Sequence, residues 1–157
     1  FYPEAVLYLE SLNVNQYKVA SRTCLFKDPN SLETLQAKAK TGKKIIISMG
    51  MGGNKKKIEN IFQKNEKIFC YCISEYPTDF RKINWNEAKK FAGFSDHALG
   101  IIAPIIFACY KKEQNDKMAY IEKHVKLRNS RGPDASTSID TIQLKELVDV
   151  IRKIEKS

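Results

Sequence analysis

Histidine, tryptophan and long apolar runs are scarce here: the chain has two histidines and one tryptophan. No apolar stretch approaches the roughly 18 residues that a membrane-spanning helix needs, which argues against a membrane partner. The opening residues lack a basic segment, an apolar stretch and a small-residue cleavage site in sequence, so the expectation is an unexported, cytoplasmic protein. Glycine is missing from "VASRTCLF" (19–26), which follows the first strand-like run. A dinucleotide-binding sheet would usually carry a glycine-rich phosphate turn there. Acidic residues are outnumbered 18 to 27, giving a net charge of +9. The lysines of "GNKKKIE", Lys43-Lys44, Lys89-Lys90 and Lys111-Lys112 are nevertheless scattered over helix ends and polar faces. Solvation explains them, and no nucleic-acid partner is expected.

What remains is enough for one soluble globular domain: 157 residues, 43% of them hydrophobic. Without an export signal, the four cysteines (Cys24, Cys70, Cys72, Cys109) read as reduced thiols. Cys70 and Cys72 fall on one face of a strand and are conceivable metal ligands, but no second pair at zinc-site spacing follows. The first residues, "FYPEAVLYLESL", already form a helical pattern with Ala5, Val6, Leu9 and Leu12 on one face. The chain is therefore expected to begin in mid-structure.

Five short runs suit buried strands: "YKVAS" (17–21), "KIIISMG" (44–50), "KIFCYCIS" (67–74), "AGFSD" (92–96) and "MAYIEKHV" (118–125). Their starts lie 23 to 27 residues apart. Helical patterns fill the intervals: "DPNSLETLQAKAK" with Asn30 or Ser31 as cap, "NKKKIENIFQK" with Asn54, a short "NWNEAKKF", and "LGIIAPIIFACYK" with Pro104 near its first turn. A last helix, "SIDTIQLKELVDVIRKIEK", shows a capping box (Asp140, Gln143) and a stripe of Ile142, Leu144, Leu147, Val148, Ile151 and Ile154. This βα repeat means a parallel sheet covered by helices. Five strands leave two architectures, a small open sheet or part of a barrel, since eight βα units need at least about 200 residues.

Polar side chains cluster at the C-terminal ends of these strands: Lys18 and Ser21, Ser48, Ser74 with Tyr76, Ser95-Asp96-His97, and Glu122-Lys123-His124. Parallel α/β folds bind ligands at that end, so the strands are expected to supply one site. His97 and His124 end consecutive strands, which are usually neighbours roughly 5 Å apart. Two imidazoles could meet one divalent ion there; satisfied core histidines and a general base are the other readings.

Six ordered motifs, "YKVAS", "IIISMGM", "CISEYPT", "GFSDHALG", "YIEKHV" and "RGPD", resemble the sialic acid (N-acetylneuraminate) synthase family and its legionaminic and pseudaminic acid relatives along the whole chain. The resemblance implies a partial TIM (β/α)8 barrel, an α/β fold in which residues 1–157 hold strands four to eight. The first three strands and a C-terminal antifreeze-like domain would lie outside it, as in a fragment of a homodimeric enzyme. It implies condensation of phosphoenolpyruvate with an N-acyl hexosamine such as N-acetylmannosamine, releasing phosphate. It further implies that Lys18 and Ser21, with Ser48 and Ser95, bind phosphoenolpyruvate, that Ser74 and Tyr76 contact substrates, and that Asp134 binds the sugar. His97 and His124 would hold Mn2+ or Mg2+, which would polarise the sugar aldehyde. Lys18, Glu122 and Asp134 are the catalytic candidates, Glu122 because it shares a strand face with His124. Thr23, Tyr71 and Ala98 depart from the family pattern, which is read as a difference in substrate class. A catalytically inactive half-barrel acting as a binding or assembly module is the alternative.

Overall fold

Alternation of period two sorts the first strand: in β1 (Gln16–Val19) Tyr17 and Val19 are buried on one face and Lys18 lies on the other. The computed structural model describes residues 2–116 and 119–157. After β1 come β2 (Lys44–Ser48), β3 (Lys67–Cys72), β4 (Gly93–Asp96) and β5 (Tyr120–Lys123), in the sheet order β1-β2-β3-β4-β5. The pairings of β1 with β2, β2 with β3 and β4 with β5 are parallel. Helices α1 (Pro3–Ser11), α2 (Ser31–Lys40), α3 (Lys55–Ile61), α4 (Trp85–Ala88), α5 (Ile102–Glu113) and α6 (Thr141–Lys156) accompany the strands. All five expected strands are present; Ser21, Ser74 and His124 fall in the loops after β1, β3 and β5, whereas Ser48 and Asp96 are the last residues of β2 and β4. Met118, where the last run was expected to start, lies outside the described residues. No helix among the described residues is long and apolar enough to cross a membrane.

Two compact units divide the chain, Phe1–Cys70 and Tyr71–Ser157. In the first, Tyr17, Val19, Ile45 and Ile47 pack with Val6, Leu35, Ile58 and Phe62. Two buried polar groups tie its loops: Asn65 Nδ2 donates to the carbonyls of Ala39 and Lys43, and the Tyr17 hydroxyl bonds Glu10, which also pairs with Lys43 at 2.7 Å. Burial, then the Glu10 carboxylate, pushes the Tyr17 phenol up to about 12. Asn54 caps α3 as expected, accepting from the Lys57 N–H. Asn30 stands at the cap of α2 without a side-chain bond, its backbone at φ −90°, ψ 5° departing from the extended conformation that aims a cap side chain at the first turn.

The second unit centres on Ile83, Phe94, Ala98, Ala103 and Phe107, with Tyr71, Ile73, Trp85 and Ile121 against them. Rings stack through it: Phe94 lies 5.2 Å from Phe107, and Trp85 lies 5.8 to 5.9 Å from Phe80, Phe94 and Tyr110. The capping box of α6 forms in full. Its apolar stripe is narrower than its sequence suggests, however: Leu147 is buried, whereas Ile142 and Val148 are 65% and 44% exposed. Ala5 and Leu12, expected on one buried face of the first helix, are exposed, Leu12 standing at the C-cap of α1, and Val6 is the residue of α1 that is buried.

Candidate functional site

In the second unit both histidines meet. β4 and β5 pair with Ser95 opposite Glu122 and Asp96 opposite Lys123, so the next residues leave the sheet side by side. The ring centroids of His97 and His124 are 5.3 Å apart. His97 is 4% exposed, and its Nδ1 lies 2.8 Å from the Ile73 carbonyl oxygen. A carbonyl only accepts, so Nδ1 carries the hydrogen, and in the neutral ring Nε2 keeps its lone pair. Cys72 Sγ is 4.0 Å from the same nitrogen. Burial works against protonating His97, but the bonds to Cys72 and Ile73 and the charge of Glu122 outweigh it and leave its pKa above the ordinary value.

Tyr76 covers the pair, its ring 4.1 Å from that of His97 and 5.8 Å from that of His124. Burial, then the charges of Cys72, Asp134 and Glu122, raise its phenol pKa. Asp134 arrives on a loop closed at its base, where the Ile139 N–H donates to the His124 carbonyl and the Lys126 N–H to the Ile139 carbonyl. Its Oδ2 stands 3.7 Å from His124 Nδ1, within reach of an ion pair. Ser74 Oγ is 3.9 Å from Cys72 Sγ, and Ser95 is buried on the strand face of His97. Asp96 and Lys123 do not join them. They fall on the other strand face and pair with each other, which corrects the expectation that every polar residue at these strand ends serves the site.

A cationic cluster occupies the first unit. Lys18 lies opposite Ile46, and Ser48 follows two residues later on the same face, which brings Lys18 Nζ to 2.9 Å from Ser48 Oγ. Ser21 Oγ accepts the Gly50 N–H at 2.9 Å and so fixes the turn after β2. An ammonium with hydroxyl groups suits a phosphate or carboxylate. Lys38, on α2, donates to the Lys18 carbonyl at 2.8 Å. Burial, then the Lys18 ammonium, lowers its pKa to about 8.

Among the described residues no three His, Cys, Asp or Glu side chains converge to hold an ion. The two imidazoles, one with its Nε2 lone pair kept by the Ile73 bond, fit an ion bound by two protein nitrogens and completed by water or substrate oxygens.

The family model for the NeuB family matches residues 1–157, the whole chain. The chain belongs to the NeuB family. Among curated proteins this NeuB-family chain is 35% identical to an uncharacterized protein of Methanocaldococcus jannaschii, over 94% of the chain and 44% of that protein. It is 31% identical to the N,N'-diacetyllegionaminic acid synthase of Campylobacter jejuni, over 98% of the chain and 47% of that enzyme. The chain thus spans about half the length of the curated relatives it matches. Among solved structures, the N-acetylneuraminic acid (sialic acid) synthetase of Leptospira borgpetersenii, in complex with citrate, superposes with a TM-score of 0.74 at 27% identity, covering 94% of the chain and 52% of that structure. The fold is accordingly α/β, a partial TIM barrel.

Tyr71, Ala98 and Thr23, expected from the sequence to depart from the family pattern, have definite surroundings. Tyr71 packs on Phe91 and Phe94 and accepts the Asn84 N–H at 3.0 Å, so it serves the core. Ala98 and Thr23 are buried. Sequence reading missed Cys72 as a neighbour of His97, Lys38 behind Lys18, and the Asp96–Lys123 pair. Parity offered one signal: Asp96 falls on the strand face of core residue Phe94, not on that of Ser95 and His97.

Proposed function

We propose that this chain forms part of a nonulosonic acid synthase that condenses phosphoenolpyruvate with an N-acyl hexosamine and releases phosphate. Membership of the NeuB family supports the class of reaction, and the observation that carries the reading is the His97–His124 pair at the ends of adjacent parallel strands. In the proposed reaction C3 of phosphoenolpyruvate attacks the open-chain aldehyde, water adds at C2, and phosphate leaves. His97 and His124 would hold Mn2+ or Mg2+, and a divalent ion there supplies Lewis-acid polarisation of an aldehyde oxygen. Lys18, with Ser48 at 2.9 Å and Ser21 nearby in the same unit, binds the anionic groups of phosphoenolpyruvate. Ser74, Ser95 and Tyr76 are substrate contacts in the second unit. Asp134, half-exposed beside His124, accepts hydrogen bonds from sugar hydroxyls. Glu122, whose charge raises the His97 pKa, adds negative charge beside the imidazoles that favours a bound cation.

The test is phosphate release from phosphoenolpyruvate with N-acetylmannosamine or a related N-acyl hexosamine present, measured on the chain joined to the portion of the relatives' length it does not span. Release is expected only with sugar and divalent ion together, and a chelator should abolish it. Turnover that persists in the chelator, or that survives His97→Ala, overturns the assignment of the histidines.

A further inference from the structure

Each of the two histidines follows a buried charge of opposite sign. Asp96 precedes His97, Lys123 precedes His124, and the two charges are partners in the register of β4 and β5. Lys123 Nζ lies 2.7 Å from Asp96 Oδ2, with the side chains 3% and 1% exposed. Both groups also grip one residue. Asp96 Oδ1 accepts the Ala98 N–H at 2.9 Å, and Lys123 Nζ donates to the Ala98 carbonyl. Ala98 follows His97 directly, and the His97 carbonyl accepts the Thr78 N–H at 2.9 Å. The peptide unit that follows His97 is therefore bonded at both its carbonyl and its N–H.

A buried ion pair is weak support for stability, because apolar residues of similar volume do as well or better. The hydrogen bonds to Ala98 are what an apolar pair could not reproduce. We propose that Asp96 and Lys123 are positioning residues, a clamp that fixes the exit of the chain from β4 and so sets the separation and tilt of the His97 and His124 rings. The clamp lies on the strand face opposite the imidazoles and touches no ligand itself. Its effect on metal affinity rests on the metal reading given above; its effect on ring geometry does not.

The experiment uses two variants of the chain and three readouts. Asp96→Asn keeps the acceptor for the Ala98 N–H but can turn an amide donor toward Lys123. Asp96→Leu/Lys123→Met replaces the pair by apolar side chains of similar length and removes both bonds to Ala98. Thermal unfolding reports whether each variant folds. Nuclear Overhauser contacts between the imidazoles, readily assigned because the chain has two histidines, report ring geometry without metal. Titration with Mn2+, followed by broadening of the same imidazole signals, reports binding.

The double variant is expected to fold with a melting temperature at or above that of the parent. It should nevertheless lose the contact between the His97 and His124 rings and bind Mn2+ about 10- to 100-fold more weakly, the range found when groups behind metal-ligating histidines are removed. Asp96→Asn, which keeps the bond to the Ala98 N–H but loses the charge that holds Lys123 against the Ala98 carbonyl, should lie between. If the double variant keeps the ring contact, the clamp is overturned whatever the metal titration shows. If the parent binds no Mn2+ while the ring contact is present and is lost in the variant, the metal reading fails and the clamp stands. Should the double variant unfold, the ring contact in Asp96→Asn decides: its weakening supports the clamp and its full retention overturns it.

Discussion

Lys38 is an ammonium held in a place that disfavours its charge. Burial lowers its pKa from 10.5 to about 8, and the Lys18 ammonium adds to that. A lysine depressed in the folded state destabilises it fully below about 8, and the penalty disappears once the unfolded state also loses its proton above 10.5. Stability should therefore rise with pH across that window. Urea unfolding of the parent and of Lys38→Met should show the parent gaining on the variant by on the order of 3 kcal/mol between the two limits, following the shift of the one group. A flat difference would mean that Lys38 is neutral or solvated in both states. Thiols offer a second check at this scale. Cys24 is buried with its pKa raised to about 11 by burial, and Cys109 is exposed. Iodoacetamide should label Cys109 in the native chain and reach Cys24 only after denaturation, as peptide mass mapping would show. The residues that sequence reading placed well, His97 beside His124 and Ser48 beside Lys18, are those whose proximity follows from register and period two alone. Lys38 and Cys72 were not legible, because nothing in a helical lysine or a strand cysteine announces which neighbour its side chain will reach.

Loops and caps are where whole elements become testable. The turn after β2 contains Gly52 and Gly53, both with positive φ, +82° and +114°. A Cβ on Gly53 would stand 2.6 Å from the Cys24 carbonyl oxygen, whereas one on Gly52 would meet nothing within 4 Å. Gly52→Ala should carry the conformational cost alone, about 1 kcal/mol, and Gly53→Ala about 1 to 3 kcal/mol or more as the backbone around Cys24 is displaced. Chemical denaturation that ranks them the other way would contradict this geometry. At the last helix, Asp140→Ala removes an acceptor shared by the Ile142 and Gln143 N–H groups and should cost about 0.5 to 2 kcal/mol. Strand positions were legible because four to eight apolar residues between turn signals leave few alternatives. The caps at Asn54, Asn84 and Asp140 were legible, or within reach, because a side-chain oxygen stands where the helix leaves N–H groups unbonded. Buried stripes were read too wide on α1 and α6. An apolar side chain such as Ile142 fits a helical period whether or not a neighbour covers it.

At the scale of the molecule, charge and strand order act together. Among the described residues β1 and β5 stand at the two ends of the strand order, and a strand paired on one side offers its other side's backbone groups to another chain. With a charge of +9 at pH 7, mutual repulsion opposes such pairing. Near the isoelectric point of about 9.3 it no longer does, so light scattering should show self-association increasing as pH rises from 7 toward that value. Scattering independent of pH would mean that the edges are not the sticky element. The single tryptophan gives the molecule a built-in reporter. Trp85 sits among Phe80, Phe94 and Tyr110 in the unit Tyr71–Ser157, and the other unit has none. Emission excited at the indole band therefore follows the melting of one unit alone, while far-ultraviolet dichroism follows both. Coincident transitions would describe a single cooperative event, and emission changing at a different denaturant concentration would make the first unit visible by subtraction.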